Sequence, residues 1–243
     1  SGLPWNLVGT VWSSVDSVMQ FASVSGIYGL GFLTLILCSF PAVLADKRLG
    51  LEQFSYCVGV VIGASLLWTF GTNRLKEAGI EFERSVNLRL VQANIPQHLK
   101  WKKELKRKHL EKFLKLSLLP STNQKPITHI IWPETAAPFD LSNDTNIRRR
   151  IGRFLPVETV LITGALRTER QENLETSFWN SIYALNQSGE IIATYDKTHL
   201  VPFGEYVPLR FLFRLTKLTE GRVDFTKGKT GQIWRLAKLP PVA

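Results

Sequence analysis

The apolar residues of this chain are concentrated in its first third, where two windows hold no charged side chain. One window lies between Asp16 and Asp46, and the other runs from Gln53 to Asn73. An α-helix needs about 20 apolar residues to cross the hydrocarbon core of a bilayer, whereas the buried helices of soluble proteins usually carry a polar stripe. The pattern predicts a membrane region over residues 1–72, with transmembrane helices at about 21–44 and 54–72.

The charges beside these windows bear on orientation. Lys47 and Arg48 lie in the short loop between the two predicted helices, and positively charged short loops tend to stay in the cytoplasm. This rule places Asn73 and the residues after it on the outer side of the membrane. Arg74 and Lys76, just past the second window, favour the opposite orientation.

A different pattern, that of a water-facing domain, follows a connector at residues 73–85 and covers residues 86–243. Val86–Ala93 alternates between apolar and polar residues as a strand does. Leu99–Leu119 places apolar residues near helical spacing among many lysines, which predicts one amphipathic helix. The basic face of this helix is either solvated or in contact with anionic lipid headgroups.

Later apolar or alternating runs predict four further strands, at Ile127–Trp132, Thr159–Thr163, Trp179–Leu185 and Glu190–Tyr195. The second of these is expected to end at Gly164, and the last two to form a hairpin about Ser188-Gly189. Strands interleaved with helical segments predict an α/β sheet covered by helices.

Charge and cysteine content support the same division. Residues 1–72 carry two basic and three acidic side chains, whereas the rest of the chain carries 28 basic and 17 acidic ones. Cys38 and Cys57 are the only cysteines, and both lie inside apolar runs without the spacing of a metal or redox motif. We expect them to be buried thiols with no chemical role.

Two stretches place ionisable side chains directly after predicted strands. Glu134 follows a strand and a proline in Trp132-Pro-Glu134, where a carboxylate can be held rigidly as a general base. Lys197 and Glu205 lie together in the run from Tyr195 to Tyr206, and an ammonium at such a position can stabilise an oxyanion. Taken separately, the first stretch also fits a solvated turn and the second a surface ion pair.

Together with Val91-Gln-Ala-Asn-Ile-Pro-Gln97, these stretches resemble the carbon–nitrogen hydrolase, or nitrilase, superfamily. More narrowly they resemble its membrane-bound branch, the apolipoprotein N-acyltransferases. The run Lys197-Thr-His-Leu-Val-Pro-Phe-Gly-Glu-Tyr-Val-Pro208 is close to the signature of that branch. The resemblance extends from the two apolar windows to about Pro241 and implies an incomplete nitrilase-like αββα sandwich preceded by two transmembrane helices.

The resemblance also implies roles for individual residues. The family uses a Glu-Lys-Cys triad, in which Glu134 would be the general base and Lys197 would stabilise the transition state. Glu205 would be a supporting carboxylate that orients Lys197 or relays protons. Trp101 and Asn180 match positions in the family's substrate cleft. No metal or organic cofactor is implied.

The implied reaction is an acyl transfer in two steps. A cysteine thiolate takes the acyl chain from a membrane phospholipid, and the α-amino group of the N-terminal diacylglyceryl-cysteine of an apolipoprotein then receives it. Both partners are membrane-embedded, and no nucleic acid is involved. The implied location is the bacterial inner membrane, in a multi-pass protein with its catalytic domain on the periplasmic side.

The family's nucleophilic cysteine is expected beyond the lysine motif, on a strand leading into Cys-Tyr-Glu. The sequence opens at Ser1 without an initiator methionine and stops at Ala243, about where that strand should begin. We therefore expect a membrane-anchored fragment that is inactive as given, since the loss of one triad member generally costs orders of magnitude in rate.

Two other functions fit parts of the sequence. A soluble amidase or carbamoylase of the same superfamily would share the glutamate and lysine motifs, but the two apolar windows argue against it. A basic, membrane-tethered module that binds anionic lipid or a protein partner needs no cysteine. The intact motifs favour descent from an enzyme.

Overall fold

The computed structural model describes residues 6–45, 50–79, 81–121, 125–170, 176–207, 224–230 and 233–241. The chain divides into two compact units, Leu3–Phe82 and Glu83–Ala243. This boundary lies close to the sequence-predicted start of the second domain at residue 86. Lys47, Arg48 and Pro208 lie outside the described residues.

The first unit is helical. A 3-10 turn at Val8–Trp12 and a short helix α1 (Asp16–Met19) precede two long helices, α2 (Ala22–Leu44) and α3 (Leu51–Glu77). Both long helices are long and apolar enough to cross a membrane. Bulky apolar side chains such as Phe32 and Phe54, each about two-thirds exposed, lie on their surfaces.

The second long helix extends beyond the predicted residues 54–72. It begins three residues earlier, where the Gln53 side chain accepts a hydrogen bond from the Gly50 backbone N–H at 2.9 Å. It ends five residues later, so residues 73–77 of the predicted connector are helical. Arg74 and Lys76 lie in its last turn, where cations interact favourably with the helix dipole.

The second unit is built on a five-stranded sheet in the order β1-β2-β3-β4-β5. The strands are β1 (Leu88–Leu90), β2 (His129–Ile131), β3 (Val160–Arg170), β4 (Thr176–Leu185) and β5 (Ile191–Asp196). The pairs β1-β2 and β2-β3 are parallel, and the pairs β3-β4 and β4-β5 are antiparallel. The predicted α/β sheet is confirmed, although β1 is shorter than the predicted Val86–Ala93.

The predicted single helix at Leu99–Leu119 is wrong. The segment forms α4 (Gln97–Lys100), a 3-10 turn (Lys103–Leu105) and α5 (Lys106–Ser117). Lys102 between them is extended, with ψ of 120°. A further helix, α6 (Thr145–Phe154), was not predicted, although Ile147, Ile151 and Phe154 lie at the i, i+4 and i+7 spacing of a helix and Asp144 caps its start.

The predicted end of a strand at Gly164 is also wrong, because β3 continues through this residue to Arg170. A Cβ atom at Gly164 would lie 2.5 Å from the backbone nitrogen of Thr135. The glycine therefore marks a close approach of two backbones inside a strand, which is the other common meaning of a glycine in a strand pattern. The predicted hairpin is confirmed, with Gly189 in the left-handed region at φ 75°.

The main core lies between one face of the sheet and the helices α5 and α6. It contains fully buried sheet residues such as Ile130, Leu161 and Tyr183, packed with Leu110 and Ile151 of the helices. On the other face a smaller cluster surrounds Val160, Ala184 and Leu236. Within the described residues the second unit is thus one sheet with one helical layer, half of a four-layer αββα sandwich.

Candidate functional site

Glu134 lies in a tight turn that directly follows β2. The backbone N–H of Trp132 still donates to Ile162 of β3 at 2.9 Å, and the N–H of Ala136 closes the turn on the Pro133 carbonyl at 3.2 Å. Thr135 has a positive φ of 47°, which is unusual for a residue with a branched side chain. A Cβ at Gly164 would lie 2.8 Å from the Cα of Glu134, so glycine is needed for the turn to rest on β3.

Lys197 directly follows β5, and its backbone is held on both sides. Its N–H donates to the Asn180 carbonyl at 2.8 Å, and its carbonyl accepts from the N–H of Gly228 at 3.0 Å. Glu205 lies in the turn after the apolar run, where its N–H donates to the Val201 carbonyl at 2.8 Å. The main chains of Lys197 and Glu205 are therefore both fixed by hydrogen bonds, which sets where their side chains begin.

Four of the five sequence-predicted site residues meet at one point. The Nζ atom of Lys197 lies 3.0 Å from Oε1 of Glu205 and 3.8 Å from Oε1 of Glu134. The side-chain amide of Asn180 donates to both carboxylates, at 2.5 Å to Glu134 and 2.9 Å to Glu205. One ammonium and one amide thus join two carboxylates.

The two carboxylates differ in their surroundings. The Glu205 side chain is 12% exposed, whereas that of Glu134 is 66% exposed. Burial alone would raise the pKa of Glu205, but hydrogen bonds from Asn180, the Val201 N–H and Lys197 outweigh it and hold this pKa below its usual value. Glu205 therefore stays ionised and provides a fixed partner for Lys197.

Trp101, the fifth predicted residue, has no described contact with these four side chains. It follows α4 and is 37% exposed. Its neighbour Lys100 reaches the site instead, donating to Thr135 Oγ1 at 2.5 Å and to the Glu134 carbonyl at 3.2 Å. Lys100 was not among the predicted residues, since nothing in its position distinguishes it from the other lysines of this basic stretch.

A cavity of about 330 Å³ opens at this cluster. Glu134, Asn180 and Lys197 line its polar part, and Ile162 and Ile182 are among its apolar residues. An acyl group whose carbonyl lay at the polar end would have an ammonium to stabilise an oxyanion and an exposed carboxylate to exchange a proton. Among the described residues no group of three or more potential metal ligands is found.

Neither cysteine belongs to the unit that holds this cluster. Cys38 lies in α2 and Cys57 in α3, both in the first unit. The expectation that both are buried is wrong for Cys38, which is exposed, while Cys57 is partly buried. Helix α2, which contains Cys38, presents many side chains outward, as a helix surrounded by lipid would.

Comparison with known proteins gives a consistent result. The family model described as carbon-nitrogen hydrolase matches residues 87–234. The chain is 34% identical to an apolipoprotein N-acyltransferase of Rhodopseudomonas palustris, over all of this chain and 47% of the relative. It is 37% identical to that of Allorhizobium ampelinum, over 86% of this chain and 39% of the relative. The chain therefore spans less than half the length of these relatives.

A solved structure of an N-terminal amidase with an Asn-Glu-Ala peptide is a more distant match. It shares 17% identity, covers 46% of this chain and 28% of the amidase, and superposes with a TM-score of 0.34. A similarity this low carries no conclusion about activity.

Proposed function

This chain belongs to the carbon–nitrogen hydrolase family, and we propose that it forms the membrane anchor and part of the catalytic domain of an apolipoprotein N-acyltransferase. The relatives that carry this name align with the chain along nearly its whole length. The observation that carries the proposal is the meeting of Glu134, Lys197, Glu205 and Asn180 at one polar cluster beside an apolar cavity.

The proposed reaction starts when a cysteine thiol loses its proton to Glu134 and the thiolate attacks the acyl ester of a phospholipid. Lys197 stabilises the oxyanion that forms on the carbonyl oxygen. The ester C–O bond then breaks, and the leaving lysophospholipid oxygen takes the proton from Glu134. The product is a thioester.

In the second step the α-amino group of a diacylglyceryl-cysteine attacks the thioester. Glu134 accepts a proton from the amine, the C–S bond breaks as the amide forms, and Glu134 returns that proton to the departing thiolate, which restores the thiol. Glu205 and Asn180 hold Lys197 and Glu134 in place throughout. Trp101, in this proposal, contacts substrate from the exposed edge of the cleft.

The thiol is the one reacting group that the second unit does not supply. Residues 83–243 contain no cysteine, so we propose that the 243 residues alone form no acyl-enzyme. The complete site would take its thiolate from a further segment of polypeptide.

We also propose how the chain meets its substrates. Helices α2 and α3 would span the bacterial inner membrane, with the second unit on the periplasmic side. Both the acyl donor and the acceptor are anchored in lipid, so a protein tethered by two membrane spans would encounter both in the same bilayer.

The proposal is tested with a chimaera. Residues 1–243 replace the aligned segment of the Rhodopseudomonas palustris relative, and the protein is incubated with phospholipid carrying a labelled acyl chain. We expect a labelled thioester that is discharged by a diacylglyceryl lipopeptide. A correctly folded chimaera that forms no thioester, when the intact relative does, would contradict the proposal. Labelling of the 243 residues alone would contradict the need for an outside thiol.

A non-catalytic, membrane-tethered module is the second candidate, favoured by the absence of cysteine from residues 83–243. It predicts that the chimaera folds and inserts into membranes but acylates nothing. The same assay therefore separates the two functions.

A further inference from the structure

A second cavity, of about 200 Å³, shares Glu134 with the cavity that contains Lys197 and has otherwise different lining residues. Gln92, Gln97, Lys100 and His109 provide its polar lining. Glu134 lines both cavities, so a group bound in the second one lies one side chain away from the proposed reaction. The proposed acyl transfer does not use any of these four polar side chains.

Lys100 brings a positive charge to this cavity. An ammonium has three N–H donors, and two described hydrogen bonds, to Thr135 Oγ1 and to the Glu134 carbonyl, use two of them. Burial lowers the pKa of Lys100, and the nearby Glu134 carboxylate opposes that shift. The Nζ atom also lies 5.9 Å from the centre of the Trp101 ring, and its third N–H makes no described hydrogen bond.

His109 brings a buried nitrogen that lacks a partner. The residue is 8% exposed, and its Nδ1 atom makes no hydrogen bond within the described part of the chain. Burial lowers the pKa of His109, with the Lys100 carbonyl opposing and Lys112 and Lys108 reinforcing the shift. A neutral imidazole has one nitrogen able to accept a hydrogen bond. Buried polar atoms are nearly always paired, and the cavity is where a partner for this ring can lie.

We propose that this cavity binds the phosphodiester headgroup of a phospholipid, with Lys100 donating to a phosphate oxygen. A hydroxyl or amine of the same headgroup would hydrogen-bond to His109, and the Gln92 and Gln97 amides would complete the contacts. The single ammonium and the adjoining Glu134 carboxylate favour a singly charged diester over a doubly charged free phosphate. That the headgroup belongs to the acyl donor rests on the proposed function.

The test measures binding without acyl transfer. The 243-residue protein, labelled with ¹⁵N in its histidine rings and held in detergent micelles, is titrated with sn-glycero-3-phosphoglycerol, which has a diester headgroup and no acyl chain. The His109 signals are identified as those lost in His109→Gln. We expect them to shift saturably with the diester, and inorganic phosphate to bind more weakly.

Matched lysine variants show whether the ammonium is responsible. Lys100→Gln is expected to weaken diester binding by about tenfold, because a charge-assisted hydrogen bond is lost. Lys103→Gln removes an exposed lysine three residues away and should leave binding unchanged. Unchanged signals from His129 and His199 in Lys100→Gln show that the unit is still folded.

Three results would overturn the inference. They are no saturable shift with the diester, binding of inorganic phosphate at least as tight as that of the diester, or equal weakening by the two lysine variants. Because no acyl group is present, these results leave the proposed acyl transfer untouched. Failure of the chimaera to form a thioester would in turn leave the headgroup cavity standing.

Discussion

The turn that carries Glu134 and the turn that carries Glu205 present the same side chain in opposite ways. Glu205 is buried and fully hydrogen-bonded, and its pKa is lowered, so its charge is fixed. Glu134 has an anchored backbone, resting on Gly164 and held by Lys100, but its side chain is largely exposed. The difference supports the proposal that Glu205 orients the site and that Glu134 exchanges protons with a substrate.

The largest effect that this comparison predicts is on rate. In the chimaera, Glu134→Gln should slow thioester formation by roughly 10²–10⁴-fold, the usual contribution of a general base, while the melting temperature of the second unit stays nearly unchanged. Labelled-phospholipid trapping and thermal unfolding measure the two quantities. Glu111→Ala, which removes an exposed carboxylate paired with Arg150, is the control and should lower neither. A slow Glu111→Ala variant would show that the assay responds to general loss of charge.

Glu205→Gln should lower the stability of the second unit more than Glu134→Gln does. It leaves Lys197 without its closest carboxylate, and we expect about 1–3 kcal/mol of destabilisation, as for other buried groups that lose a hydrogen-bond partner. Chemical denaturation of the 243-residue protein measures this difference. A variant as stable as the wild type would mean that the buried carboxylate does not anchor the site.

Gly164→Ala tests the support of the Glu134 turn. The added methyl group would lie 2.5 Å from the Thr135 nitrogen, so the turn or the strand must move. We expect about 1–3 kcal/mol of destabilisation, the range for overpacked sites, together with slower thioester formation in the chimaera. Gly204→Ala is the matched control, because the nearest atom to its Cβ would be 3.5 Å away. Equal effects of the two changes would rule out the proposed close approach as the cause.

The smallest predicted effect is on pH dependence. The pKa of Glu205 is lowered on folding, so its contribution to stability is fully present above the ordinary value of 4.5 and is lost as the pH falls through the lower, folded-state pKa. The stability difference between wild type and Glu205→Gln should therefore shrink in acid. Denaturation at a series of pH values measures it, and a difference that grows below pH 4.5 would reverse the assigned sign.

The sequence predicted the residues of the candidate site better than it predicted the helices and strand ends of the second unit. Glu134 and Lys197 were identified in motifs that follow predicted strands, Glu205 in the same run as Lys197, and Asn180 only from the family resemblance. The structure brings all four together. Their catalytic roles stay predictions. Lys100 could not be recognised, because its partners lie 34 and 35 positions away in a turn that forms only in the folded unit.

The errors in the fold have a common origin. Hydrophobic periodicity reports burial along one element, so it cannot detect the extended Lys102 that separates the 3-10 turn from α4. Helix α6 was missed although Ile147, Ile151 and Phe154 have helical spacing, because the segment is short and mostly polar. Gly164 was interpreted as a strand end because a close backbone approach and a turn both select glycine. In each case the deciding contact is tertiary.

The central claim, that Glu134 and Lys197 act on one acyl group, is tested most directly by a double-mutant cycle in the chimaera. Glu134→Gln, Lys197→Gln and the double variant are compared by their rates of thioester formation from labelled phospholipid. Residues that act as a unit are strongly non-additive, so we predict that the double variant is about as slow as the slower single variant. Rate losses that multiply in the double variant would show that the two side chains act independently, and would contradict the account.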